Sequence, residues 1–109
     1  MSKLFDVSEK TENSVDISGM SPADAKEYIF NFLSTLKLTE KQILNLDDEI
    51  NKWQSRIDLA NSKNESQLAL DAEKEKNRLL GKKTALETEV EQYKQQIEEM
   101  RRQMLRWKS

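Results

Sequence analysis

The chain has 109 residues, 35% of them charged and 36% hydrophobic, with a net charge of −2 and neither cysteine nor histidine. A chain of this length makes one domain with a lean core, and the two missing residue types exclude thiol nucleophiles, disulfides, thiolate or imidazole zinc sites and a histidine general base. The charge balance supplies no bulk attraction to nucleic acid or anionic lipid, so no nucleic-acid partner is expected.

Residues 1–20 carry Ser2, Ser8, Thr11, Asn13, Ser14, Ser18 and Gly19 among scattered apolar side chains, which reads as a flexible tail. Neither a secretory leader nor an apolar run of about 20 residues is present, so a cytoplasmic protein is expected. Ser21-Pro22-Ala23-Asp24 is a helix start. The Ser21 hydroxyl can accept from a free backbone N–H, and Pro22 at the first helical position lacks only an N–H that had no partner.

From Pro22 onward apolar residues recur at alternating spacings of four and three. The first run is Ala25, Ile29, Phe32, Leu36, Thr39, Ile43, Leu46, Ile50, Trp53, Ile57 and Ala60; only Thr39 is polar. The second is Ala69, Ala72, Lys76, Leu79, Lys83, Leu86, Val90, Tyr93, Ile97, Met100, Met104 and Trp107, interrupted by two lysines. A sustained seven-residue repeat marks a supercoiled seam. The polar stretch Asn61–Gln67 between the runs is a turn. The expected fold is therefore all-α, an antiparallel two-helix coiled-coil hairpin over 21–109 with a flexible N-terminal tail over 1–20. Its arms span about 22–62 and 67–107, and its tip 63–66. One register suits both runs: Ala60 faces Ala69, Ile57 faces Ala72, Trp53 faces Lys76, Ile50 faces Leu79, Leu46 faces Lys83, and the chain reverses between Asn64 and Glu65.

Four clusters invite a functional reading. Trp53 opposite Lys76 is a candidate cation–π layer, although lysines at seam positions also serve to set register. Asp47, Asp48 and Glu49 form an acidic triplet, but successive helical residues point about 100° apart and do not converge on one ion. No metal or cofactor is expected. Arg101, Arg102, Arg106 and Lys108 are candidate contacts for an anionic partner; the same cations also suit a helix C-terminus. Lastly, Tyr28, Phe30, Leu33, Leu44 and Leu105 form a candidate interaction surface off the seam, strongest where Phe30, Leu33 and Leu44 share a stripe. Two helices cannot bury a wide apolar stripe, so a second copy or a protein partner is expected there. The alternative cover is the tail itself, folding back through Leu4, Phe5 and Val7.

The residues Trp53-Gln54, Leu59-Ala60, Lys63, Leu68-Ala69, Ala72, Lys76, Leu79, Leu86-Glu87, Glu89-Val90 and Met100-Arg101-Arg102 resemble the central hairpin of the phage-shock protein A family, which includes the vesicle-inducing plastid protein. The resemblance covers about half the chain. It implies a hairpin that assembles at the inner membrane face in response to membrane stress, of which this chain would be a truncated relative or a regulator. Without histidine, cysteine or a water-excluding pocket, an enzyme with a small-molecule substrate is not expected. The leading expectation is a self-associating interaction or scaffold protein. The alternatives are a peripheral membrane-surface module and a soluble chaperone-like adaptor.

Overall fold

Helix α1 runs Pro22–Ser62 and helix α2 runs Ser66–Lys108, in a computed structural model that describes residues 15–108 and their side chains to residue 107. The two helices pack against each other as an all-α hairpin, and no strand occurs among the described residues. The expected arms fall within one residue of these bounds.

Each helix end has an identifiable cause. The Asp24 N–H donates to Ser21 Oγ at 3.2 Å and the Ala25 N–H to the Ser21 carbonyl at 2.9 Å, so Ser21 caps α1 by side chain and backbone. At the other end Asn64 takes a left-handed φ of 59°, a conformation that asparagine tolerates better than most residues. The Asn64 N–H then bonds the Asn61 carbonyl at 3.1 Å, and the Glu65 N–H bonds the Ala60 carbonyl at 2.8 Å. That pair of bonds is a Schellman closure. The Glu65 carbonyl in turn accepts from the Ala69 N–H at 3.0 Å, opening α2. One residue thus closes the first helix and starts the second, and the reversal lies where the seam register requires it.

The chain divides into two compact units. The tip unit, Thr39–Thr88, is centred on Leu46, Ile50 and Leu79, with Trp53 and Leu86 packed against them. Ile57, Ala60, Ala69 and Ala72 are also buried there, as the register expects. The seam lysines meet α1 through its flanking polar residues. Lys83 pairs with Asp47 at 2.6 Å, and Lys76 donates to the Gln54 side chain. The hydrogen bond to Asp47 holds the Lys83 ammonium above its ordinary range, against a smaller opposing effect of desolvation. Gly81 is exposed, and a methyl group in place of its hydrogen would meet nothing within 4 Å, so no close approach requires a glycine there.

The open-end unit comprises the described residues up to Leu38 and from Glu89 onward. Ala25, Ile29, Leu36, Val90, Ile97 and Met100 are buried. Phe32 meets Tyr28 at 5.1 Å and Tyr93 edge-on at 6.0 Å, a geometry favoured by the ring quadrupoles. Two expectations are corrected in this unit. Trp107 does not continue the seam but is exposed, because its register partner is Pro22, the first residue of α1, with no earlier helical turn beyond it to complete the cover. Residues 15–20 also do not extend away as a flexible tail. Ile17 is fully buried, and Gln103 on α2 clasps the backbone around it. The Gln103 side-chain oxygen accepts from the Ile17 N–H at 3.0 Å, and its nitrogen donates to the Val15 carbonyl at 2.6 Å. The chain then turns through a bond from the Met20 N–H to the Ile17 carbonyl at 3.0 Å. The tail contacts expected of Leu4, Phe5 and Val7 lie outside the described residues.

Candidate interaction surfaces

The off-seam apolar residues of the open-end unit divide into two kinds. Tyr28 and Leu33 are half-buried, Tyr28 being drawn against Phe32. Phe30 stays 64% exposed and Leu105 65% exposed. Phe30 follows the buried Ile29 directly, and a step of one residue turns the side chain about 100° away from the seam. Leu44, in the tip unit, is likewise mostly exposed.

The basic cluster is largely engaged with its own helix. Arg102 reaches Glu99 at 2.9 Å and Glu98 at 3.7 Å, and Arg106 reaches Glu99 at 4.0 Å. The hydrogen bonds from Arg102 and then Gln103 hold the Glu99 carboxyl below the usual range. Glu99 also accepts from Gln103 at 3.3 Å, so the carboxylate steadies the side chain that clasps Ile17. Arg101 is exposed, and the side chain of Lys108 lies outside the described residues. Two of the three arginines, Arg102 and Arg106, are thus engaged by acids of their own helix, which reduces the field they present to an anionic surface.

In the tip unit the candidate cation–π contact of Trp53 with Lys76 is not the one formed. The cation over the Trp53 ring is Arg56, its guanidinium carbon 4.3 Å from the ring centre, while Lys76 turns to Gln54. Arg56 lies three residues on from Trp53, on the same face of the helix, and so reaches the ring without crossing the seam. Asp47 is committed to Lys83, and among the described residues no group of three or more potential ligands is placed to hold a metal ion.

The tip also carries a feature that periodicity alone did not single out. Trp53, Leu59, Ala60, Leu68 and Ala72 line a groove of about 520 Å³ along one flank. Leu59 is 56% and Leu68 55% exposed, although each sits beside a buried alanine. Small residues at Ala60 and Ala72 leave the flanking groove unfilled. Its walls differ in charge. Arg56 on α1 and Lys63 just beyond its end are cationic, whereas Glu65, at the start of α2, and Asp71 and Glu75, on α2, are acidic. Glu75 is bound by Arg78, with 3.0 Å contacts from Nε, and that hydrogen bond lowers its carboxyl below the usual range. The sequence signal for this groove is the pair of off-seam leucines, Leu59 and Leu68, placed on either side of the polar turn.

The fold places this chain in the class of all-α helical hairpins, with apolar surface left over on both of its units. Residues 20–108 match the family described as conserved hypothetical protein CHP04376, and the chain belongs to that family. No curated protein and no solved structure matches it. Among the described residues, no helix is long and apolar enough to cross a membrane.

Proposed function

We propose that this chain is a non-enzymatic coiled-coil interaction protein that associates with copies of itself, in a cytoplasmic setting. The observation that supports the reading is the set of large apolar side chains left more than half exposed after the seam is filled: Phe30, Leu38 and Leu105 in one unit, Leu44, Leu59, Leu68 and Leu70 in the other. Burying such a side chain is worth about 1.5–3 kcal/mol by area, less the cost of association. Several per chain therefore favour a partner over solvent. The likeness to the phage-shock protein A hairpin rests on the sequence residues named above, and on that likeness we propose that the process served is membrane stress, with this chain as a relative or a regulator of that family.

Light scattering across a concentration series tests the reading. The wild type is expected to exceed the mass of one chain as concentration rises. Phe30→Glu with Leu33→Glu should lower that mass while circular dichroism stays helical, because Phe30 lies outside the seam and Leu33 only borders it. A wild type that keeps the mass of one chain at the highest concentration would refute self-association.

A further inference from the structure

The tip groove is apolar along its floor and oppositely charged on its two walls. Among the described residues, neither Arg56 nor Lys63 is held in an ion pair, and neither is Glu65 nor Asp71. Arg56 is instead stacked on Trp53, which keeps its charge at the groove edge, and Asp71 accepts only from Gln67 at 3.0 Å. A surface with one cationic and one anionic wall is complementary to itself under one kind of two-fold rotation. An axis across the hairpin would set the cationic wall on its own copy. An axis along the hairpin sets the cationic wall of each copy on the anionic wall of the other. The levels also agree. Arg56 lies near the level of Asp71, and Lys63 near that of Glu65, because both helices run from the same turn.

Resting on the self-association reading above, we propose that the tip groove is an isologous dimer site, in which two tips lie side by side, pointing the same way, and bury Leu59 and Leu68 against each other's groove. Arg56 of each copy then pairs with Asp71 of the other, and Lys63 with Glu65. Glu75, already neutralised by Arg78, adds little repulsion. Trp53 lies beneath Arg56 as the aromatic part of the buried centre, a residue type enriched at the energetic core of interfaces.

Charge exchange in the full chain tests the arrangement. Arg56→Glu places two acids opposite one another at both symmetric contacts, and Asp71→Arg places two cations there. Each variant alone should self-associate about tenfold or more weakly than wild type in sedimentation equilibrium. An equimolar mixture of the two should regain wild-type affinity as a heterodimer, because each contact then joins opposite charges. Added salt should weaken the wild type and the mixture alike. Circular dichroism of each variant checks the fold, and recovery in the mixture itself requires that both variants be folded. If both variants associate as the wild type does, the tip is not the interface, though self-association through another surface stands. If the mixture stays as weak as its components, the two-fold pairing is wrong. A wild type that never associates overturns the groove dimer together with the reading on which it rests.

Discussion

Leu79→Asp is expected to abolish most of the helical circular dichroism at 25 °C, or to lower the melting temperature by more than about 15 °C. Leu79 is 2% exposed and sits with Leu46 and Ile50 at the centre of the tip unit, flanked by Trp53 and Leu86. Truncating a buried leucine alone costs about 2–5 kcal/mol through lost transfer energy and the cavity left behind. A carboxylate adds a desolvation penalty, and the seam cation one turn on, Lys83, is already engaged by Asp47. Small domains are stable by only about 5–15 kcal/mol, and each 1 kcal/mol moves the midpoint of a chain this size by about 4–8 °C. The neighbouring Leu80→Asp is the control. Leu80 lies off the seam and is exposed, so the change should stay within about 1 kcal/mol. Equal melting curves for the two variants would mean that the seam is not the buried face.

Ile17→Ala is expected to release the segment that Gln103 clasps. Ile17 is completely buried, and isoleucine to alanine at such a site costs about 2–5 kcal/mol. Because the segment is held by one apolar anchor and two hydrogen bonds to a single side chain, the cost should appear as local opening, not as global unfolding. Amide exchange at Ile17 and Met20, two of the backbone donors in this segment, should accelerate by about 30-fold or more, at about tenfold for each 1.4 kcal/mol. Gln103→Leu should accelerate Ile17 by removing its acceptor, while total helix content stays nearly constant. Unchanged protection at Ile17 in both variants would show that the clasp does not hold the segment.

The seam was legible because its signal is redundant. A four-three spacing repeated from Ala25 to Ala60 and again from Ala69 to Met104 leaves one register that also places the polar stretch at the turn. Helix starts were legible for a different reason: Ser21 and Pro22 act through their own backbone chemistry, with no need of tertiary partners. Ile17 was not legible. A single isoleucine among serines and acids has no period, and what holds the backbone around it is a glutamine 86 residues away whose two ends match one donor and one acceptor. The cation over Trp53 was not legible from the register, because facing seam positions do not always touch through their charged ends. Lys76 is long enough to leave the layer, and Arg56 is near enough to take its place. The tip groove escaped notice because it results from an absence of bulk. Ala60 and Ala72 read as seam positions like any others until their small size is set beside Leu59 and Leu68.

The shared role of Glu65 at the turn has a kinetic side. When one residue closes α1 and opens α2, the chain between the arms is too short to search, so the first cross-helix contacts form at almost no loop-closure cost. Sequence separation then grows with every layer, from 22 residues between Gln54 and Lys76 to 86 between Ile17 and Gln103. Contacts that close short loops form first when local order is otherwise equal. The hairpin should therefore zip from its turn outward, with the clasp on Ile17 closing last. Alanine substitutions at Ile57 and Ala72→Gly should slow folding, whereas Ile17→Ala should leave the folding rate nearly unchanged; the reverse order in stopped-flow kinetics would place the nucleus at the open end.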